Sequence, residues 1–547
     1  MASTVLSLLS AAAIETHYRQ GFWRDETIWQ VAAGHAARTP DAVAVRDRAR
    51  SLTWRQLAEA ATAFAADLWR RGVRPGQRVA LWMPDRLESV VALLACSRNG
   101  LVCCPSPHRN HTVAEVVALM ERMRAAALVW QDGFGADAAG ADIVAEARDM
   151  GWLRHVYRLA PAGAEAAFAG QTEAAPPPPE SRDPNRVVYL AFTSGSTGRP
   201  KGVMHSDNTL LVTARAISRD WRIGRDSVVY SLSPFSHNLG LGSLLTAIVG
   251  GATYVIHDLP RGDSLADRLV AVGATYLIGV PTHAIDLLDE MRRRGMTRLG
   301  RLTGFRVSGA ASPPAVLAEL LERGIEPQSG YGMTETNAHQ YTRPGDDPAL
   351  ITGTCGRACT GYEVRVFDPD DPDVMLPAGR IGMVAGRGAS LMLGYFDDQL
   401  ATEACFNADG WFVTGDLGWV DEAGYLRLTG RKKEVIIRGG HNINPAKIEE
   451  LAMGHAGVVR AAVVPVPDQR LGERVCLAVM LKPGASVAGM LDHLGASGLS
   501  RYEMPEFTLV LDDIPLMSNG KIQKRDIQQW IADGRAVPQP VRAPATA

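Results

Sequence analysis

Leu190-Ala-Phe-Thr-Ser-Gly-Ser-Thr-Gly-Arg-Pro-Lys-Gly-Val203 is the stretch on which the reading of this chain turns. Arg186–Phe192 predicts a strand that enters a loop of glycine and hydroxyl residues, Thr193, Ser194, Gly195, Ser196, Thr197 and Gly198, with Lys201 behind it. Gly195, Gly198 and Gly202 allow backbone N–H groups to turn inward, and the hydroxyls and the ammonium add donors, a set that suits a polyphosphate. No Gly-Lys-Ser/Thr triplet is present, so this is not a Walker A loop. A Gly/Ser loop alone is more often a plain turn. The strand before it and the lysine after it favour the phosphate reading. Ser206 then offers an N-cap for a helix.

Outward from the loop the chain alternates. Asp41–Asp47, Arg78–Met83 and Leu101–Pro105 read as strands, and Thr53–Gly72 and Leu87–Asn99 as helices, an α/β arrangement. Residues 1–25 read as an irregular arm. Glu173–Pro184, with Pro176–Pro179, reads as a polyproline-like surface connector. Further strands are expected at Ser227–Ser233, Thr275–Val280 and Phe305–Ser308. From Tyr362 the pattern becomes short β segments, including a hairpin Gly418–Val420/Tyr425–Leu428 around Asp421–Gly424. After Arg431 it changes again. A strand Glu434–Arg438, a helix beginning at Asn444-Pro445, strands Ala461–Pro465 and Val475–Leu481 and a basic terminal helix make a small α+β unit.

Composition narrows the function. The 547 residues carry 57 basic and 59 acidic side chains, so a nucleic-acid-binding face is not expected. Aromatics at 6% argue against a stacking platform for single strands. Hydrophobic residues at 46% and charged ones at 21% are those of a soluble globular protein. The seven cysteines show no C-x-x-C or Cys/His ligand spacing, which points to reduced thiols in a cytoplasmic protein and not to zinc. The apolar stretch Val5–Ile14 has no basic residue ahead of it, which reads against a secretory signal. No apolar run approaches the ~18 residues of a membrane span. The 54 glycines are in excess, and glycine is used where backbone must approach a ligand.

Six further short motifs stand in order: Ser308-Gly309-Ala310-Ala311, Tyr331-Gly332-Met333-Thr334-Glu335, Trp411–Asp416, Gly430-Arg431-Lys432-Lys433, Arg438–Ile443 and Ser518-Asn519-Gly520-Lys521. Taken singly each has a plain reading. Glu335 is a surface or capping carboxylate, or a hard oxygen for Mg²⁺ beside phosphates. Tyr331 is core packing. Asp416 is a turn acid, or an acceptor for ribose hydroxyls. Gly309, Ala310 and Ala311 make a tight turn, or a bare backbone along a nucleotide. Lys521 is a solvated loop lysine.

Together with Leu190–Val203 the ordered set resembles the acyl-adenylate-forming (AMP-binding) enzymes over about residues 25–535, and among them the stand-alone bacterial acyl/aryl-CoA ligases of the cyclohexanecarboxylate–CoA ligase kind. The resemblance implies an α/β fold. It has a large N-terminal body of αβ subdomains plus a β-barrel-like subdomain (1–430, AMP- and acyl-binding) and a small mobile C-terminal α+β domain (431–547). It implies ATP, Mg²⁺ and CoA, and a carboxylate attacking the α-phosphorus of ATP to give acyl-AMP, then thioester and AMP. Thr193–Gly198 and Lys201 would hold the phosphates, Glu335 the metal, and Thr334 the α-phosphate. Gly309, Ala310, Ala311, Tyr331, Asp416 and Arg431 would hold adenine and ribose. Lys521 would reach the reacting carboxylate as a cation, Lys433 would be the hinge, and Gly439 and Gly440 would line the CoA channel.

His237, Asn238 and Gly332 would border the acyl pocket. Amino-acid-activating relatives place an Asp where His237 aligns, and no acid stands between Pro234 and Ala247, which disfavours an α-amino acid. His237 matches the His or aromatic gate of acyl- and aryl-CoA ligases, and His237-Asn238 resembles the pair of hydroxybenzoate-activating ligases; a merely packed histidine stays open. The expected substrate is a small apolar acid, alicyclic, aryl or medium-chain. After the small domain only Arg535–Ala547 follows, so CoA is expected as the acceptor; the alternative is an aryl acid–AMP ligase loading a carrier-protein phosphopantetheine. No nucleic-acid or membrane partner is expected, while a homodimer and an acetyltransferase acting on Lys521 are compatible. Replacing Lys521 with Ala should abolish adenylation yet spare thioester formation from supplied acyl-AMP. The two half-reactions assayed separately test this, and equal loss of both contradicts the role.

Overall fold

The computed structural model describes residues 10–105, 109, 111–137, 140–159, 168–169, 176–193, 200–260, 262–439, 441–517 and 520–541. Two large mixed sheets dominate the first 360 or so residues. In one, the strands Val228–Ser231, Thr253–Ile256, Tyr276–Gly279, Gly304–Ser308 and Glu326–Met333 run parallel, with Asn337–Tyr341 and Arg357–Ala358 added antiparallel at one edge. In the other, Val187–Thr193, Val102–Cys104, Arg78–Trp82, Ala125–Trp130 and His155–Leu159 run parallel side by side in that order. Helices Leu87–Asn99, Asp207–Asp220 and Asn238–Gly250 lie between the sheets, and one apolar core takes residues from both. Every residue of Leu87–Asn99 is buried. A helix buried on every face is satisfied only inside such a layer. Helices Leu265–Val272, Pro281–Arg293 and Pro314–Glu322 cover the outer face of the first sheet with a second cluster.

The local rules hold well. Thr53 caps the helix Trp54–Arg70 with a capping box, and Ser206 caps Asp207–Asp220 in the same way. Asn444 caps Pro445–Met453, whose proline sits where its missing N–H costs nothing. The short β segments after Tyr362 form a four-stranded antiparallel sheet, Tyr362–Phe367, Gly382–Gly388, Phe412–Val420 and Leu426–Arg431. From Ile436 the chain builds its own six-stranded sheet with helices Pro445–Met453, Val487–Ala496 and Lys524–Ala532 and two apolar clusters of its own.

Three expectations are corrected. The arm 1–25 is not irregular throughout: Ala11–Arg19 is a helix capped by Ser10, and Trp23 is buried with its indole N–H on Ala389 O at 2.9 Å. The phosphate-type loop does not lead straight to the capped helix, because Lys201–Ser206 first returns as a strand antiparallel to Val187–Thr193. Two polar ends, Lys201 and Ser206, hid that strand's apolar middle. Glu434 belongs to a one-turn 3-10 helix, Lys432–Glu434, and the strand is only Ile436–Arg438. The four-proline connector is tethered, since Arg98 Nη1 donates to Pro178 O at 3.0 Å.

No helix of the described residues is long and apolar enough to cross a membrane. All seven thiols are free. Gly356 shows how tightly the strand edge beside the site is built. Its φ is +75°, and a β-carbon there would lie 1.9 Å from the carbonyl carbon of Tyr341. Gly356→Ala should therefore destabilise the body by about 3 kcal/mol through overpacking and strain, read as a lower denaturant midpoint.

Candidate active site

The C-terminal ends of the parallel strands, the four-stranded sheet and one loop of the C-terminal unit meet in one place. Lys521 comes from that last unit. A β-carbon on Gly309, whose φ is +94°, would lie 3.4 Å from Lys521 Cε and 3.4 Å from Val280 Cγ1. The preceding Gly520 sits equally close, where a β-carbon would be 2.9 Å from Val280 Cγ2 and 3.2 Å from Thr282 Oγ1. The loop is thus seated on the body, and the positive φ at Gly309 and at Gly520, +81°, favours glycine at both positions. Burial pulls the Lys521 ammonium below its usual range and Arg431 adds to this, while Asp416 and Glu434 act the other way. Lys521 is half-buried between the two units, where one charge acts more strongly than in bulk water.

Asp416 and Arg431 are cross-strand partners in the four-stranded sheet. Asp416 is not in a turn but inside the strand Phe412–Val420, next to Gly415 at φ +81°. Its carboxylate accepts from Arg431 Nε at 2.7 Å and from the Tyr331 hydroxyl at 2.5 Å. The Tyr331 ring stands edge-on to His339 at 5.3 Å. Gly332 is pressed against its hairpin partner, where a β-carbon would meet Asn337 O at 2.1 Å.

Thr334 and Glu335 lie in the turn between Glu326–Met333 and Asn337–Tyr341. His205, fully buried and pulled down to about 4 by desolvation, contacts Thr334 O at 2.7 Å and so fixes the turn. Glu335 accepts from the Tyr395 hydroxyl at 2.8 Å, and its own carbonyl accepts from Met392 N–H at 2.8 Å. Burial raises the Glu335 carboxyl, and the Tyr395 hydrogen bond lowers it in part. The Lys201 ammonium lies 4.6 Å from the centroid of the same Tyr395 ring. Tyr395 therefore joins the lysine behind the phosphate-type loop to the acid. Thr193 and Lys201 face each other across the strands that frame the loop. Ser194, Gly195, Ser196, Thr197 and Gly198 lie outside the described residues, as does Gly440.

Among the described residues no group of three or more His, Cys, Asp or Glu could hold a metal by itself. A single carboxylate in a water-poor niche beside a phosphate site suits Mg²⁺, which keeps phosphate and water oxygens for the rest of its shell. Glu335 therefore fits that ion.

His237 immediately precedes the helix Asn238–Gly250, and Asn238 Nδ2 donates to Met333 O at 3.3 Å. Burial pulls His237 down to about 4, with the Lys521 and His111 charges adding to it, so its imidazole is neutral at pH 7. The Pro234–His237 turn is anchored by Asp85, which accepts from Phe235 N–H at 3.1 and 3.0 Å and which burial pushes up to about 7. Ala310 and Ala311 continue from Gly309 as an exposed stretch. Lys433 is exposed in its 3-10 turn. Gly439, at φ +56°, donates its N–H to Leu471 O at 2.8 Å, inside the C-terminal unit. The sequence did not single out Tyr395, His205 or Asp85. Each acts through a contact distant in the chain, and only the side-chain type was there to notice.

Two family models match the chain: the AMP-binding enzyme over residues 33–396 and the AMP-binding enzyme C-terminal domain over 447–521. A ligase of Mycobacterium tuberculosis (strain ATCC 25618 / H37Rv), the 3-[(3aS,4S,7aS)-7a-methyl-1,5-dioxo-octahydro-1H-inden-4-yl]propanoyl:CoA ligase, is 34% identical over 90% of this chain and 96% of its own. The medium-chain fatty-acid–CoA ligase of Escherichia coli (strain K12) is 30% identical over 92% of this chain and 90% of its own. The crystal structure of ATP-bound MatB from Rhodopseudomonas palustris superposes with a TM-score of 0.81 at 30% identity, covering 93% of this chain and 99% of that one. The chain belongs to the AMP-binding enzyme family. Its class is that expected from the sequence, an AMP-forming acid–CoA ligase that uses ATP, Mg²⁺ and CoA on a small carboxylic acid.

An acid that must be ionised to hold a cation loses function as pH falls through its pKa. Tyr395→Phe removes a bond that favours the Glu335 carboxylate, so that pKa should rise further. The acid limb of ATP–pyrophosphate exchange should move to higher pH in the variant, and an unmoved limb counts against Glu335 as the ionised ligand.

Proposed function

We propose that this protein activates a small apolar carboxylic acid, alicyclic, aryl or medium-chain, as its acyl-AMP and then transfers the acyl group to CoA with release of AMP. The observation that carries the reading is the seating of Lys521, from the C-terminal unit, against Gly309 of the body. The Lys521 cation would draw the substrate carboxylate toward the α-phosphorus and stabilise the charge that builds on the phosphoryl oxygens. Thr193–Gly198 and Lys201 would hold the β- and γ-phosphates, and Thr334 the α-phosphate. Glu335 would hold Mg²⁺, which when bound supplies neutralisation of phosphate charge. Asp416 would exchange its present donors for ribose hydroxyls, Arg431 would lie beside them, and Gly309, Ala310, Ala311 and Tyr331 would frame the adenine.

The boundary is proposed at 430/431, with the hinge at Lys433. Rotation there would carry Lys521 away and bring Gly439 and Gly440 to the pantetheine arm, so each half-reaction has its own pose. His237, Asn238 and Gly332 would line the acyl pocket, with His237 acting as a neutral gate and not as an acid. Acetylation would erase the one charge that Lys521 contributes, so an acetyltransferase is the proposed regulatory partner. The absence of an acid in the Pro234–Ala247 segment supports a substrate without an ammonium group.

The test is a panel of alicyclic, aryl, medium-chain and α-amino acids scored for AMP formation with CoA and with a phosphopantetheinylated carrier. CoA-dependent AMP formation with the apolar acids is expected. Turnover only with the carrier would favour the aryl acid–AMP ligase instead.

A further inference from the structure

Arg306 lies in the middle of the strand Gly304–Ser308 and is 5% exposed. Its neighbours Phe305 and Val307 point into the outer cluster, so Arg306 points the other way, toward the layer that holds the helix Asn238–Gly250. That helix begins at the His237-Asn238 pair of the acyl pocket. Among the described residues no group hydrogen-bonds to the Arg306 guanidinium, and its buried Nε is unpartnered. Its register partner Gln328, fully buried on the next strand, has its carbonyl oxygen taken by the Tyr276 hydroxyl at 2.7 Å, which leaves its amide N–H₂ without an acceptor. Two unsatisfied donors therefore stand side by side.

Among the described residues no carboxylate pairs with the charge. Tyr276, Tyr341 and Cys359 surround Arg306, and burial raises all three above their ordinary values, so they are neutral at pH 7. Asp220, the nearby carboxylate, is engaged by the Tyr341 hydroxyl and by Arg343. A buried cation with no counterion costs stability and persists where something else requires it. There is room on the helix Asn238–Gly250 of that layer. Gly242, one turn beyond Asn238 and on the same helix face, is partly open between buried neighbours, and a β-carbon there would meet nothing within 4 Å. Arg306 stands two residues down its strand from Ser308-Gly309, about 7 Å at ~3.3 Å per residue. That is the depth at which the far end of a small ring would lie if its carboxylate sat beside Lys521.

We propose that Arg306, with the Gln328 amide, is a specificity-determining pair at the base of the acyl pocket that binds a second oxygen acceptor, a ketone or carboxylate, at the distal end of the substrate acid. This rests on the acid–CoA ligase reading and narrows it: the substrate is apolar along its flanks and carries an oxygen at its tip. A site built to donate to such an oxygen discriminates strongly against the analogue that lacks it, because the donors are then left unpaired.

The test compares cyclohexanecarboxylate, 4-oxocyclohexanecarboxylate and trans-1,4-cyclohexanedicarboxylate in wild type, Arg306→Met and Arg306→Lys, by kcat/KM for CoA-dependent AMP formation. In wild type at least one oxygenated acid should exceed the plain acid by roughly 10- to 100-fold. In Arg306→Met that ratio should fall close to one, mainly through KM, while the melting temperature stays level or rises because an uncompensated buried charge is gone. Arg306→Lys should keep part of the ratio. Preference for the ketone identifies a neutral acceptor and preference for the dicarboxylate an anionic one, and either supports the pair. A wild-type ratio near one, or a ratio that survives Arg306→Met, overturns the proposal. No AMP formation with any acid, and no ATP–pyrophosphate exchange, overturns the ligase reading itself.

Discussion

One half-buried cation crosses between the two units of the molecule, and the rest of the site is arranged about it. Lys521 reaches the body beside Gly309 and the Val280–Thr282 segment, where a β-carbon on Gly520 would come within 2.9 Å of Val280 Cγ2. Placing an ammonium in a half-buried niche costs solvation, and burial pulls its pKa down. The niche is worth keeping because phosphoryl transfer builds negative charge and little covalent assistance is available from a protein. Nearby stand the bare backbone of Gly309 and the paired charges of Asp416 and Arg431.

The second constraint is the helical layer between the sheets. Burying Leu87–Asn99 and Asn238–Gly250 from both sides aligns the C-terminal ends of two parallel sheets, and the crevice beyond those ends is where ligands of such folds bind. The same layer puts Asp85, from the second sheet, under the Pro234–His237 turn of the first. It also encloses Arg306, which lacks the ion-pair partner that the layer's Glu88 and Asp207 have in Arg50 and Arg186. Departures of this kind, where a local rule is broken without a local reason, are where function tends to reside.

Much of the fold was legible because it follows from short-range rules. Capping residues Thr53, Ser206 and Asn444 mark their helices in the sequence and keep them in the structure. The strand Lys201–Ser206 was missed because its ends are polar and its alternation is brief, yet pairing with Val187–Thr193 forces it. The N-terminal helix was missed because Ala11–Arg19 has an ordinary composition, and Trp23 is buried only by packing against Ala389. In the candidate site, the motif residues were legible as chemical types in order. Tyr395, His205, Asp85 and Arg306 were not, since a lone tyrosine, histidine, aspartate or arginine has no signature until its neighbours are known.

By itself, the order of residues determined the family of chemistry: a glycine-rich loop for phosphates, a carboxylate for a hard cation, a lysine in a glycine turn near the end, and no acid where an ammonium-bearing substrate would need one. Those features depend on residue type and spacing along the chain. Tertiary structure alone decided which groups meet. Lys521 lies more than 200 residues from Gly309, Asp416 is bound by Tyr331 from another sheet, and Arg306 is an uncompensated charge only because folding removes it from water and gives it no partner. Burial and pairing depend on what the rest of the chain brings alongside, and that information is not local.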